Sequence, residues 1–234
     1  MLMKRDFVKN KGEAPQVRKV ETRTNISMLV LIGLLLSLTA LLPNCVPPVR
    51  RIVDVKPSGR SYGDKVPLKV GYYITTKFEN YSVRLHGVYD ISSGFAGLYY
   101  PNLGLATGKE FGLALVQLFA KVEAIYEEYP YTRERAKEVD VVIEPQIDKF
   151  YFHDPTFKQG VWRAGITYKI TLYDSNWNIL FTRSVEGVGN SKGRMSDSYS
   201  ENASIAASKA IQEGVKNAMD TILTSEEIEK LLRR

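Results

Sequence analysis

Apolar and polar residues alternate through part of the second half of the chain, and this pattern sets the strongest limit on its fold. From Trp162 to Leu172 every second side chain is apolar, with polar residues or glycine between them. This two-residue period is typical of a strand with one buried face. Turn-forming residues at 174–178 and a second strand over Ile179–Val188 predict a hairpin. Another layer must then pack on the buried face of the sheet.

Two predicted helices can supply that layer. The capping-box pattern Thr107–Glu110 marks the start of the first helix, and an apolar stripe continues it to just before Pro130. The stripe consists of Phe111, Leu115, Leu118, Val122 and Ile125. The second helix, about Tyr199–Leu223, has a face of alanine and glycine and can approach another surface closely. A glycine-marked loop is expected before it, at Gly187, Gly189 and Gly193.

Three further strands complete the expected sheet. Val66–Ile74 and Val139–Ile147 alternate clearly, and a shorter strand is expected within Tyr81–Tyr89. Pro145 cannot donate to a strand ladder, so its strand should have a free edge or a bulge there. The order of elements predicts an α+β fold, with a mainly antiparallel sheet and two helices packed on one face. We expect one domain over residues 66–234.

Residues 1–44 have the layout of an export signal. Basic side chains precede an uncharged stretch, Met28–Pro43, and a processing site follows. The stretch has sixteen residues. As a helix it would reach about 24 Å, less than the ~30 Å hydrocarbon core of a bilayer. We expect a cleaved signal peptide over residues 1–44, and an uncleaved, tilted anchor is the alternative.

The positive charge of the chain is concentrated in the same segment. The net charge is +6, and residues 1–44 contain seven basic and three acidic side chains, which leaves +2 for the rest. A basic face for nucleic acid would require that charge to lie on the folded part of the chain. Nucleic acid is therefore not an expected partner.

The run Leu42–Cys45 resembles the lipobox of bacterial lipoproteins. The resemblance implies that Cys45 becomes the first residue after cleavage and carries acyl chains such as palmitate. Residue 46 is Val rather than the Asp that retains such proteins in the inner membrane, which implies the periplasmic face of the outer membrane. Residues 45–65 would form an extended tether, given their content of proline, glycine and charge. An unmodified Cys45 would instead indicate a single-pass inner-membrane protein.

The sequence contains no persuasive catalytic, metal or cofactor motif. Gly104–Glu110 lacks the Ser or Thr of a phosphate loop, and the two histidines, His86 and His153, are too few for a zinc site without carboxylates. Asp140, Glu144, Gln146 and Asp148 fall on the polar face of one strand, where solvation is the expected state. We expect a protein that is not an enzyme and has no cofactor and no metal.

Aromatic residues crowd around a glycine-rich stretch near residue 95. Exposed Tyr and Phe side chains serve as anchors for protein partners, glycans or lipid surfaces. The candidates for partner binding are Tyr73, Phe95, Tyr99 and Tyr100. Packing of these aromatics inside a small sheet is the alternative.

The layout from Val66 to Leu223 is similar to that of the YajG-like lipoproteins, and more distantly to small α+β domains of the LPS-assembly and TolB N-terminal types. The similarity is carried by the motifs Pro67–Ile74, Thr107–Leu115, Val139–Ile147, Tyr168–Asp174 and the alanine-rich closing helix. It implies a non-catalytic periplasmic domain on a lipid anchor that binds an envelope component or itself.

Two functional hypotheses follow. The first is a structural or assembly subunit of a cell-envelope complex, held at the membrane by its acyl chains. The second is an auxiliary lipoprotein of an envelope transporter that binds lipid or glycan between sheet and helices. A deep apolar cavity would favour the second hypothesis, and a filled core with an exposed aromatic face would favour the first.

Overall fold

The structure, a computed structural model, describes residues 49–50, 64–85, 98–127, 132–153, 160–193 and 199–233. These residues lie within one compact unit, Pro47–Arg234. The predicted signal peptide, Cys45, His86, Phe95 and most of the predicted tether lie outside the described residues. No helix in the described ranges combines the length and apolar character needed to span a membrane.

The strands and helices of the described residues have the following bounds. The strands are β1 (Val49–Arg50), β2 (Val66–Ile74), β3 (Val83–Leu85), β4 (Leu98–Tyr100), β5 (Phe119–Tyr126), β6 (Val141–His153), β7 (Val161–Asp174) and β8 (Ile179–Lys192). The helices are α1 (Thr76–Glu79), α2 (Leu103–Leu118), α3 (Thr132–Ala136), α4 (Tyr199–Leu223) and α5 (Glu226–Leu232).

The main sheet has five strands in the order β5-β2-β6-β7-β8. The long pairings, β6 with β7 and β7 with β8, are antiparallel, whereas β2 pairs in parallel with both β5 and β6. The predicted hairpin from Trp162 is thus confirmed as β7–β8. A second sheet has the order β1-β4-β3, with β3 inside the predicted strand Tyr81–Tyr89.

Helices α2 and α4 cover one face of the main sheet, which we call the helix face. The ring of Phe111 on α2 lies 5.1 Å from the ring of Tyr168 on β7, in an edge-on arrangement. Gly214 on α4 packs against the same tyrosine. Alternate residues of β6 and β7 join the buried core between sheet and helices. The predicted α+β class, with two helices on one face, is confirmed.

The predicted bounds of the first helix are wrong at both ends. The helix begins at Leu103, so Thr107 is buried inside it rather than at its N-terminus. It ends at Leu118, and Val122 and Ile125 belong to β5, paired with Val70 and Tyr73 of β2. A parallel strand pair requires a crossover connection, and α2 is that connection.

The predicted loop at Gly187 and Gly189 is also wrong, because both glycines lie inside β8. A Cβ atom at Gly189 would lie 2.0 Å from the carbonyl oxygen of Ala206 on α4, and one at Gly187 would lie 2.1 Å from the backbone nitrogen of Gly214. Only glycine allows the helix backbone this close to the strand. The close approach predicted from the small face of α4 is therefore present in the structure.

Candidate binding cleft

A cleft opens in the main sheet where strands β2 and β6 separate. They pair only between Val70–Tyr72 and Val141–Ile143, after which β2 ends at Ile74 and the chain turns into α1. β6 continues beside β7 to His153. Pro145 follows the end of the β2 pairing, which agrees with the free edge predicted there.

The cleft has a volume of about 660 Å³, within the range of small-ligand sites. Residues from the β2–α1 side and from the β6–β7 side face each other across it. Those on the first side are Tyr73, Thr75, Lys77, Phe78, Tyr81 and Glu127. Those on the second are Glu144, Gln146, Ile147, Asp148, Lys169, Tyr173 and Trp177.

Glu144 is the buried acidic group of this cleft. Its residue is only 5% exposed. The hydroxyl of Tyr173 donates a hydrogen bond of 2.5 Å to one carboxylate oxygen, and the Nε2 amide of Gln146 donates one of 2.7 Å to the other. The expectation of a solvated Glu144 is therefore wrong. The strand alternation did place Glu144 on the face opposite the helices, but Tyr173 on the neighbouring strand shields it there.

Three aromatic rings form one cluster beside Glu144. The ring of Trp177 lies 5.0 Å from that of Tyr73, edge-on, and 5.2 Å from that of Tyr173. All three pack on a small apolar cluster on the face of the sheet opposite the helices. The cluster is formed by Ile125, Ala136, Val139 and Val142. The aromatic cluster thus has a fixed base on regular strands, which is a good foundation for a binding site.

The β7–β8 turn holds Trp177 in an unusual backbone conformation. Its φ is +66°, and among the described residues it is the only non-glycine in the left-handed region. Asp174 fixes the turn, because its Oδ1 accepts from the backbone nitrogens of Asn176 and Asn178, and its Oδ2 accepts from the Asn178 side chain. Bulky residues in this region are strained, and such strain is concentrated at functional sites.

The cleft changes the acidity of its tyrosines. Burial, followed by the hydrogen bond to Glu144, raises the pKa of Tyr173. Burial and the charges of Glu127 and Glu144 raise the pKa of Tyr73, while burial and Asp148 raise that of Tyr81. The hydroxyls, which are protonated at neutral pH in any tyrosine, therefore stay protonated to a higher pH here and can donate hydrogen bonds.

The arrangement is suited to binding. Aromatic walls provide contact area, and Glu144, Gln146 and the tyrosine hydroxyls provide orienting polar groups. The indole Nε1 of Trp177 is buried and has no hydrogen-bond partner among the described residues. In the described part of the chain, no three His, Cys, Asp or Glu side chains could together hold a metal ion.

A second, smaller groove lies on the other side of α1. It has a volume of about 340 Å³ and lies among β2, β5, α1 and the first turns of α2. Its lining is mostly apolar and includes Tyr72, Ile74, Leu105, Gly112 and Tyr126. The hydroxyl of Tyr72 donates to the backbone oxygen of Gly108.

The predicted partner-binding aromatics fall in different places. Tyr73 lines the cleft. Tyr99 is half-buried in β4, with the guanidinium of Arg84 over its ring at 5.6 Å. Tyr100 is fully buried and packs edge-on against Phe150, so its prediction as a partner contact is wrong. A side chain in the core cannot reach a partner. Phe95, like Cys45, lies outside the described residues.

Sequence reasoning missed three principal residues of the cleft: Glu144, Tyr173 and Trp177. The sequence did contain a signal for Trp177, because a tryptophan in the tight turn Asp174–Asn178 has no obvious role in the turn itself. Glu144 and Tyr173 meet only through the pairing of β6 with β7. That pairing register is not visible in either strand alone.

Comparisons with known proteins give fold similarities only. No family model and no curated protein match the chain. A Xanthomonas campestris protein of the DUF330 family is similar at 13% identity and a TM-score of 0.48, with 77% of this chain and 98% of that chain covered.

Two proteins named as lipoproteins are also similar. One is from Caulobacter crescentus, at 10% identity and a TM-score of 0.35, with 56% of this chain and 81% of that chain covered. The other is GNA1162 from Neisseria meningitidis, at 13% identity and a TM-score of 0.32, with 68% and 100% covered. At these identities the likeness is one of fold alone. The YajG-like resemblance stays a prediction.

Proposed function

We propose that this chain is a lipid-anchored, non-catalytic subunit of a bacterial cell-envelope complex, and that its domain binds another envelope component through the cleft. The cleft between α1 and β6–β7 carries this proposal. It combines a volume suited to a ligand or a partner side chain with rigid aromatic walls and a buried carboxylate.

The anchor is supported by the sequence. Cys45 directly follows the basic and apolar segment of a signal, and Val46 fits sorting to the outer membrane, facing the periplasm. An acyl chain confines the domain to a surface and so raises its effective concentration for partners there. Intact mass spectrometry of the protein from its native membrane, beside Cys45→Ala, tests the anchor. A mass that retains residues 1–44 would refute it.

Site-specific photocrosslinking tests the binding role of the cleft. A photoreactive phenylalanine at Tyr73 should give a discrete crosslinked species in the native membrane, because this ring lines the cleft. The matched control is the same group at Leu232, which is exposed but lies outside the cleft lining. Equal crosslinking at both positions, or none at Tyr73, would refute the proposal.

The second groove favours a different candidate function, an auxiliary lipoprotein that binds a lipid chain. Its lining is mostly apolar, and a Cβ at Gly112 would meet its nearest neighbour only at 3.8 Å. Gly112→Leu should therefore fill the groove and abolish co-purification of phospholipid. Ala120→Leu, on the exposed edge strand outside the groove lining, is the control. If Gly112→Leu retains as much lipid as the wild type, this candidate is wrong.

A further inference from the structure

We propose that the cleft binds an organic cation, with Glu144 as its counter-charge and the rings of Tyr73, Tyr173 and Trp177 as its aromatic wall. The inference rests on the proposed binding function of the cleft and adds the chemical class of the ligand. The group recognised is an ammonium or guanidinium, supplied either by a small molecule or by a lysine or arginine side chain of a partner.

The first argument is the isolation of the Glu144 charge. Removing a carboxylate from water is costly unless it is paired with a cation or fully hydrogen-bonded. Glu144 receives hydrogen bonds from two neutral groups, Tyr173 and Gln146. Among the described ion pairs of the chain, none includes Glu144. A ligand cation would supply the missing charge partner.

The second argument is the balance of charge around the cleft. Its lining contains the carboxylates of Glu127, Glu144 and Asp148 against the amines of Lys77 and Lys169, an excess of one negative charge. Both lysines are exposed, as are Glu127 and Asp148, so these four charges can extend into water. Glu144 is buried and cannot do so. The fixed charge inside the cleft is therefore negative.

The third argument is the aromatic wall. The faces of Trp and Tyr rings attract cations, and tryptophan does so most strongly. Tyr73 and Tyr173 lie on strands, and Asp174 holds the turn that carries Trp177. The wall is thus preorganised, which lowers the entropic cost of binding.

Fluorine NMR of the full-length chain in detergent micelles tests the inference. The chain has two tryptophans, Trp162 and Trp177, so labelling with 5-fluorotryptophan gives two resonances that Trp177→Phe assigns. Choline is titrated against its neutral isostere 3,3-dimethylbutanol. A capped Ala-Lys-Ala peptide is titrated against the same peptide with norleucine in place of lysine. The lysine peptide also offers carbonyl acceptors for the indole Nε1 of Trp177.

The expected result is a saturable shift of the Trp177 resonance with one or both cations and no shift with the neutral isosteres. Glu144→Gln keeps an acceptor for Tyr173 and should weaken that binding about tenfold or more. The control is Glu186→Gln, since Glu186 also accepts a tyrosine hydroxyl, that of Tyr151, but lies outside the cleft lining. Its affinity should equal that of the wild type.

Choline alone as a ligand would assign a small-molecule source, and the lysine peptide alone would assign a partner side chain. Equal shifts with a cation and its isostere would overturn the inference, as would unchanged affinity in Glu144→Gln. No response to any cation would also overturn it. Crosslinking at Tyr73 is independent of this titration, so failure of the cation inference and failure of the binding function can be distinguished.

Discussion

Replacement of Gly189 by alanine should separate helix α4 from the sheet. The added Cβ would lie 2.0 Å from the backbone oxygen of Ala206 and 2.3 Å from the backbone nitrogen of Ala210. An ordinary contact begins at about 3.4 Å. Backbone atoms cannot swing aside as a flexible side chain can, so the helix must move away by more than one ångström.

The cost of that movement follows from the packing it disturbs. A gap of about 0.5–1 Å already forfeits a quarter to a half of the dispersion energy at each contact. The sheet-facing residues of α4 include Ala206, Ala210 and Val215, all almost fully buried. Overpacking of this kind costs about 1–3 kcal/mol, and with the lost contacts we expect about 3 kcal/mol. For a chain of this size that lowers the Tm by roughly 6–12 °C.

The same substitution at Gly112 provides the matched control. This glycine lies inside helix α2, and a Cβ there would have its nearest neighbour at 3.8 Å. Alanine should stabilise the helix by about 0.5–1 kcal/mol, because glycine is the poorer helix former. Thermal unfolding of full-length wild type, Gly189→Ala and Gly112→Ala, followed by circular dichroism, measures both effects. A Gly189→Ala variant as stable as the wild type would refute the close contact between β8 and α4.

Two further predictions concern the cleft. Tyr173→Phe removes the hydroxyl that donates to buried Glu144. Denaturant unfolding should show a free energy of unfolding lower by about 1–3 kcal/mol, a loss that Glu144→Gln largely avoids. Equal losses in the two variants would contradict this. Hydrogen bonds from the Asn178 side chain and nearby backbone nitrogens lower the pKa of Asp174. These bonds therefore stabilise the turn fully at any pH above the ordinary aspartate pKa of about 3.9. The stabilisation is lost as the pH falls through the lower pKa of the folded state. The Trp177 fluorine resonance should then move at acidic pH in the wild type but not in Asp174→Ala; identical pH profiles would count against the role of Asp174.

Local sequence pattern predicted those parts of the fold that local physics determines. The alternation from Trp162 to Leu172 fixes β7 because each residue needs only its own face of the strand. The small residues of α4 predicted close approach because a face of alanine and glycine permits it. The C-terminal end of α2 could not be predicted from local pattern in this way. Val122 and Ile125 fit a helical stripe as well as a strand, and parallel pairing with β2 decides between them.

The cleft was harder to predict, since its residues come together through pairing across the sheet. Tyr73 was found because it belongs to an aromatic-rich stretch. Glu144 was assigned to the correct face of its strand but to the wrong environment. Glu144 is in contact with Tyr173 of the neighbouring strand, which in turn packs against Trp177 in the turn. Neither the strand register nor the left-handed backbone of Trp177 is encoded in a short window of sequence.

Strand alternation in β6 and β7 also separates the residues that maintain the packed core from those that can determine what the cleft binds. Along β6, Val141 and Ile143 face the helices, whereas Glu144 and Gln146 face the cleft. Substitutions at Glu144 and Gln146 can therefore change what is bound without altering the packed layer behind them. Related chains could diversify in specificity by changing every second residue of two strands, while the intervening residues preserve the fold.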